Sequence, residues 1–71
     1  MFDIGTDVVN QKTGHIGKVI GYGHEMVNGV YSPTLKVLLS EALNPGKKGF
    51  IEEDLHSAWT QWEEAKNLSI K

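Results

Sequence analysis

Short apolar runs broken by glycine form the main pattern along this chain. A first run containing Val8 and Val9 predicts a strand over residues 6–11, and a second run predicts a strand from His15 to about Tyr22. Alternation in the second run places Val19 and two glycines on one face, opposite the larger side chains of Ile16, Lys18, Ile20 and Tyr22. A glycine-lined face lets another backbone approach closely, so the pattern predicts sharply bent antiparallel strands.

A hairpin is predicted after the second strand. Asn28 and Gly29 both accept positive φ, which is the signature of a type I′ turn. The third strand is expected from about Val30 to Leu39, and its alternation directs three side chains inward, those of Leu35, Val37 and Leu39. Because Pro33 cannot donate a hydrogen bond to a sheet, we expect Tyr31–Thr34 to form an edge.

The segment after the third strand contains a loop and a short fourth strand. Residues 44–49 combine proline, two glycines and two lysines, a composition typical of a turn. Phe50 and Ile51 predict a short strand, and residues 52–55 are then expected to leave the sheet.

The C-terminal part of the chain allows two interpretations. Leu55, Trp59 and Trp62 recur at spacings of three and four residues, which favours a short helix over about residues 57–67. The alternative is a fifth strand over residues 58–61. The helix is the preferred prediction because several good helix formers surround the tryptophans.

The N-terminal motifs are similar to those of a known class of domain. The succession of Phe2–Gly5, Val8–Val9 and Thr13–Gly21 resembles the opening of small SH3-like barrels, such as KOW modules, Tudor-like domains and the amino-terminal domain of CarD-type transcription regulators. The segment Glu53–Leu55 is similar to the short 3₁₀ turn before the last strand of such barrels. The resemblance implies a non-catalytic module that docks onto a larger assembly.

Length and composition agree with one small domain over residues 1–71. We predict an all-β, SH3-like barrel of four to five antiparallel strands over about residues 2–56, followed by the C-terminal helix. A core of this size supplies only about 3–5 kcal/mol of stability. The chain has no cysteine, and no apolar stretch approaches the roughly 20 residues that span a bilayer. We therefore expect a soluble cytoplasmic protein.

The charge balance disfavours nucleic acid as a partner. Seven lysines face nine acidic residues, the net charge is −2, and arginine is absent. Arginine is the side chain best suited to reading guanine and clamping phosphate. The leading prediction is a protein partner, bound by a monomer or a weak homodimer. The alternative is a transcription- or translation-associated module that contacts nucleic acid through Lys12, Lys18, Lys47 and Lys48.

Five residues are the predicted partner-binding positions. Trp59 and Trp62 are candidates because tryptophan is enriched at binding hot spots. The alternative is that this apolar pair packs against the open end of the core. Lys47 and Lys48 lie in the predicted loop, where they would meet an acidic partner. Tyr31 lies on the predicted edge, which a partner strand could extend.

The remaining polar side chains form no recognisable catalytic or metal-binding motif. His15, His24 and His56 lie in different elements and lack zinc-ligand spacing, so we expect no metal, no other cofactor and no enzymatic activity. A weaker feature is an aromatic groove for proline-rich peptides, lined by Tyr22, Tyr31 and Phe50. Another is an acidic patch made of Glu52, Glu53, Asp54, Glu63 and Glu64.

Overall fold

A computed structural model describes residues 2–62 of the chain, and its strands form one antiparallel sheet. Its five strands are β1 (Asp7–Asn10), β2 (Ile16–Val27), β3 (Val30–Leu39), β4 (Ile51–Leu55) and β5 (Trp59–Gln61). The strand order is β4-β3-β2-β1-β5, which confirms the all-β prediction. The two outermost strands, β4 and β5, do not pair with each other, so the described sheet is open rather than closed into a barrel.

The long β2–β3 hairpin forms the central pair of strands that the others flank. Asn28 has φ 52° and Gly29 has φ 79°, so both central turn residues adopt the left-handed conformation predicted for them. Pairing runs from Val27↔Val30 at the turn to Gly17↔Leu39 at the far end. The register shifts by one residue between Val19 and Gly21, which bends the hairpin as a bulge does.

One face of the sheet carries the core. Its buried cluster consists of Val8, Val19, Leu35, Val37, Leu39 and Trp59, which confirms the predicted inward side of β3. Gly17 allows the two strands to meet closely there, because a Cβ at this position would overlap the carbonyl oxygen of Leu38 and lie 2.8 Å from Val37 Cγ1. The predicted close approach at a glycine face therefore occurs at Gly17.

Hydrogen bonds join β4 to the end of β1 across the inner face. Asn10 Nδ2 donates to Asp54 Oδ2 at 3.1 Å, and Lys12 Nζ lies 3.4 Å from Asp54 Oδ1. Burial alone would raise the pKa of Asp54, but hydrogen bonds from Asn10, the Leu55 amide and Lys12, with the charge of Lys12, leave it below the ordinary value. Asp54 is therefore held as a carboxylate that links strands distant in sequence.

A second pair of contacts extends this connection towards β2. Thr13 Oγ1 donates to Glu52 Oε2 at 2.9 Å, and His15 Nδ1 lies 2.7 Å from Glu52 Oε1. Glu52 and Asp54 are two residues apart on one strand, so both side chains project from the same face of β4. Because alternate residues of β4 face the same side, Glu52 and Asp54 both contact residues at the β1–β2 turn.

The helix predicted at residues 57–67 is wrong over its described part. A 3₁₀ turn, His56–Ala58, leads directly into β5, whose register with β1 is Asn10↔Trp59 and Val8↔Gln61. The alternative of a fifth strand at residues 58–61 is confirmed as Trp59–Gln61. The open edge of β1 supplies backbone hydrogen-bond partners that a local helix would leave unused. Residues 63–67 of the predicted helix lie outside the described residues.

The predicted end of the fourth strand is also wrong. Residues 52–55 do not leave the sheet, because β4 pairs with β3 from Leu38↔Ile51 to Thr34↔Leu55. Phe50 precedes the strand, and the 3₁₀ turn lies at His56–Ala58 rather than at Glu53–Leu55. The three acidic residues at the start of this segment are accommodated in the sheet because their side chains find partners on both of its faces.

Candidate functional site

A groove of about 440 Å³ lies on the outer face of the sheet, opposite the core. Its lining includes the core residue Leu39 and four apolar residues from separate elements, Ile16, Leu38, Leu43 and Trp62. Leu38 is 41% exposed and Leu43 is 42% exposed, so the groove offers apolar surface directly to solvent. A concave apolar site of this volume falls within the range of typical ligand pockets, about 300–1,000 Å³.

Strand alternation positions two of these side chains. Leu38 lies between the buried Val37 and Leu39, so its own side chain projects from the opposite face of β3. The Trp62 amide donates to the Asp7 carbonyl at 2.8 Å, which continues the β1–β5 pairing by one residue. Trp62 is three residues beyond the buried Trp59, and this odd spacing directs the two rings to opposite faces.

A buried asparagine positions the other part of the groove. Asn44 Nδ2 donates to the carbonyls of Ile16 and Ser40, each at 2.6 Å, and its Oδ1 accepts from the Ile16 amide at 2.9 Å. These bonds fasten the loop after β3 to the start of β2 and satisfy the polar side chain that is buried there. Leu43 is thereby held beside Ile16 at the wall of the groove.

The charged residues of the groove neutralise each other. Lys18 Nζ lies 2.8 Å from Asp7 Oδ1, and the two residues face each other across β1 and β2. Both side chains are more than half exposed, so the ion pair contributes little to stability. The pair therefore adds no net charge to the apolar groove.

The two predicted tryptophans have different environments. Trp59 is 4% exposed and belongs to the core, where its Nε1 donates to the Asp54 carbonyl at 3.3 Å. The burial of Trp59 gives its ring a structural role, so its role in partner binding stays a prediction that this position does not favour. Trp62 is half-buried and lines the groove, so it is the member of the pair that a partner can contact.

The other predicted positions lie away from the groove lining. Tyr31 is 70% exposed and pairs with Met26 near the hairpin turn. Lys47 lies 5.0 Å from the centre of the Phe50 ring in the β3–β4 loop, and Lys48 is exposed in the same loop. The structure thus distributes the five predicted site residues among the core, the groove, the hairpin and this loop.

The described aromatic residues do not form the predicted groove for proline-rich peptides. Tyr22 and Tyr31 belong to the hairpin, and Tyr22 Oη donates to the Phe2 carbonyl at 2.5 Å. Phe50 lies just before β4, beside Leu39 at the opposite end of β3. The three rings therefore lack the continuous arrangement that such a peptide needs.

The histidines are separated in the structure. His15 contacts Glu52, His24 pairs with Pro33 on the hairpin, and His56 stacks on Phe2 with ring centres 5.3 Å apart. Over residues 2–62, no group of three histidine or acidic side chains could hold a metal ion. The acidic patch is likewise divided in its described part, and Glu63 and Glu64 lie outside the described residues.

Comparison with protein-family models, with curated proteins and with solved structures finds no match to this chain. Within residues 2–62, no helix has the length and apolarity needed to cross a membrane. The candidate site is therefore assigned from its geometry. The residues that define it most clearly are Trp62, the outward-facing Leu38 and the loop residue Leu43.

Proposed function

We propose that this chain is a non-catalytic protein-binding module of the SH3-like class, which docks onto a larger cytoplasmic assembly through the outer-face groove. The observation that carries the proposal is an exposed apolar groove in which Trp62 lies beside Ile16, Leu38 and Leu43. Tryptophan is enriched at binding hot spots, where a few well-packed side chains supply most of the affinity. The absence of cysteine fits the reducing cytoplasm.

The groove favours a particular kind of partner. Because Lys18 and Asp7 form an ion pair, an uncharged contact suits this surface better than a strongly basic or acidic one. We expect a segment of a folded protein that inserts an aliphatic or aromatic side chain between Leu38 and Trp62. Burying the apolar surface of such a side chain is worth about 1.5–3 kcal/mol, and this contribution is insensitive to salt.

The strand arrangement supports the SH3-like part of the proposal. The resemblance implies a 3₁₀ turn before the last strand at Glu53–Leu55, and the chain has such a turn three residues later, at His56–Ala58. β1 lies between β2 and β5. The hydrogen bonds of Asp54 and Glu52 to the β1–β2 turn bring the β4 edge towards β1. The inner face is filled by the core, so a partner would bind the outer one.

The lysine contacts argue against the nucleic-acid alternative. Lys12 lies 3.4 Å from an Asp54 oxygen and Lys18 lies 2.8 Å from an Asp7 oxygen, while Lys47 stacks on Phe50. A phosphate placed on Lys12 or Lys18 would lie beside the carboxylate of Asp54 or Asp7, which repels it. Affinity for nucleic acid depends on the number of phosphates that lysines neutralise, so lysines paired with carboxylates contribute less than free ones.

The proposed function is tested by partner capture with matched variants. The tagged full chain is compared with Leu38→Thr and Trp62→Ala, which remove groove surface, and with Val30→Thr. Val30 lies on the same strand and face as Leu38, is 63% exposed, and is not part of the groove. We expect capture of a discrete protein that survives nuclease and high salt, and that both groove variants weaken roughly tenfold or more.

Two outcomes would contradict this function. If Leu38→Thr and Trp62→Ala capture the partner as tightly as the unmodified chain, the groove is not the docking surface. If nuclease or high salt removes everything that is captured, the interaction depends on phosphates, and the lysine-based alternative replaces the proposal.

A further inference from the structure

The turn end of the β2–β3 hairpin is a two-stranded ribbon, formed by Gly23–Val27 and Val30–Pro33. β1 pairs with β2 only as far as Lys18, and Gly5 and Thr6 extend this pairing by backbone hydrogen bonds to Val19. β4 pairs with β3 only as far as Thr34. Beyond these points the two ribbon strands pair only with each other among the described residues. A two-stranded ribbon is marginal in water, and additional strands stabilise it.

The backbone groups of the ribbon point in directions that the register defines. Leu39 donates its amide to the Phe50 carbonyl on the β4 side, and Pro33 is six residues earlier, so it has the same orientation. Pro33 has no N–H to donate and faces His24. This pair is therefore a non-hydrogen-bonded one, and the N–H and C=O of His24 point away from β3. Tyr22 and Met26, two residues to either side, present theirs to the same open edge.

The two edges of the ribbon differ in their protection. On the β3 edge, Pro33 removes the donor that an added strand would use, which is one of the means by which proteins block edge pairing. On the β2 edge, residues 22–27 contain neither proline nor lysine, and Glu25 is the single acidic residue. Tyr22 is 43% exposed and Met26 is 55% exposed. The β2 edge thus lacks the proline and lysine that protect sheet edges, and it exposes two large apolar side chains beside unpaired backbone groups.

We propose that the occupant of this edge is a second copy of the chain, paired antiparallel about a two-fold axis at His24. A two-fold axis normal to the sheet preserves the face of every side chain, and it passes through a residue rather than between two residues. With the axis at His24, Glu25 faces Gly23 and Tyr22 faces Met26.

The two neighbouring registers are less favourable. With the axis at Gly23, Val27 would lie against Val19, whose N–H and C=O already bond Thr6 and Gly5. With the axis at Glu25, the two Glu25 carboxylates would face each other.

Charge and packing both favour this self-pairing. In this register the carboxylate of Glu25 faces Gly23 and not its symmetry mate, so no like-charge pair opposes association. The aromatic ring of Tyr22 faces the thioether of Met26, which is a favourable neighbour. Association converts two marginal ribbons into one four-stranded sheet and leaves the outer-face groove, at the other end of β3, free for its partner.

The test exploits the outward direction of the His24 amide. His24→Pro deletes this donor without removing a β2–β3 hydrogen bond, and His24→Val keeps the donor while removing the same imidazole. Sedimentation velocity of the full chain, from micromolar to millimolar concentration, measures the dimer in each case. We expect a reversible dimer that His24→Val retains, whereas His24→Pro raises the dissociation constant roughly tenfold or more, because symmetry loses the bond twice.

Amide hydrogen exchange of the unmodified chain provides a measurement that needs no variant. The amides of Tyr22, His24 and Met26 are expected to gain protection as concentration rises, while exposed amides elsewhere do not change. A chain that stays monomeric at millimolar concentration would overturn the proposal. So would equal dimerisation of His24→Pro and His24→Val, or a dimer in which these three amides remain unprotected.

Discussion

The two ends of the β2–β3 hairpin share the same strands but differ completely in burial. At the open end, Val19, Leu35, Val37 and Leu39 are buried, with exposures of 0–5%. At the turn end, no residue from Ile20 to Pro33 is buried. The difference follows from the neighbouring strands, because β1, β4 and β5 flank only the open end.

This comparison separates what stabilises the chain from what is available for binding. Each apolar side chain that is fully buried contributes about 1.5–3 kcal/mol, so the five-stranded end supplies most of the stability. The ribbon end is well paired internally but leaves Tyr22, Met26, Val30 and Tyr31 exposed. Residues there are free to serve association, since few of them are needed for the fold.

The largest effect is expected at Gly17, where the two strands of the well-packed end approach most closely. In Gly17→Ala the new Cβ would overlap the Leu38 carbonyl oxygen, and neither backbone can move without disturbing the core. We expect a loss of about 4 kcal/mol or more, close to the whole of the roughly 3–5 kcal/mol that such a core supplies. Urea denaturation followed by far-UV circular dichroism measures it.

Gly21→Ala is the matched control for this substitution. Gly21 lies on the same strand, but the nearest atom to its added Cβ is Lys36 Cδ at 3.7 Å, an ordinary contact with a flexible side chain. We expect its free energy of unfolding to change by less than about 1 kcal/mol. Equal effects of the two substitutions would show that close strand approach does not distinguish the two positions.

A second large effect is expected from dividing the tryptophan pair. Trp59→Ala removes a ring that is 4% exposed and is expected to cost about 3–5 kcal/mol. Trp62→Ala removes a half-buried ring from the groove, so its cost is expected to be much smaller. Thermal denaturation of both variants compares the two losses of stability. A larger loss in Trp62→Ala than in Trp59→Ala would contradict the assignment of Trp59 to the core.

These two tryptophans also show what the sequence could and could not predict. Strands and turns with local signals were predictable, as the Asn28–Gly29 turn and the inward face of β3 demonstrate. The spacing of Trp59 and Trp62 fits a helix as well as a strand. Residues 59–61 form a strand because they pair with β1, about 50 residues earlier in the chain. No local sequence pattern encodes this pairing.

The groove was predictable only in part for the same reason. Trp62 attracted attention as a residue type, and the alternation of β3 already implied that Leu38 faces outward. Leu43 was not predictable, because its position depends on the hydrogen bonds of Asn44 to a strand 28 residues away. Contacts of this length require the assembled sheet.

A smaller, pH-dependent effect is expected where β4 meets β1. The lowered pKa of Asp54 means that its carboxylate stabilises the fold at pH values above the ordinary aspartate pKa of 3.8. This stabilisation falls as the pH drops through the lower pKa of the folded state, because protonation then weakens the contacts to Asn10 and Lys12. Asp54→Asn is expected to cost about 1–3 kcal/mol at neutral pH.

The pH profile distinguishes this effect from simple loss of packing. Denaturation at several pH values from neutral to about 3 should show a smaller decline for Asp54→Asn than for the unmodified chain. Parallel declines would mean that other carboxylates, and not the Asp54 link, control stability in acid.

The smallest effect is expected at the ribbon, where the comparison between the two ends can be tested on one strand. Tyr31 and Leu35 lie four residues apart on the same face of β3, but Tyr31 is 70% exposed and Leu35 is fully buried. Tyr31→Thr retains a strand-forming residue and is expected to change the free energy of unfolding by less than about 0.5 kcal/mol. Leu35→Ala is expected to cost about 2–5 kcal/mol.

Urea denaturation measures both costs, at a protein concentration low enough to keep the chain monomeric. Self-pairing at the ribbon would otherwise add the free energy of association to the measured stability. Similar costs for the two substitutions would mean that the ribbon contributes to the core, and the division between a stabilising end and a binding end would have to be abandoned.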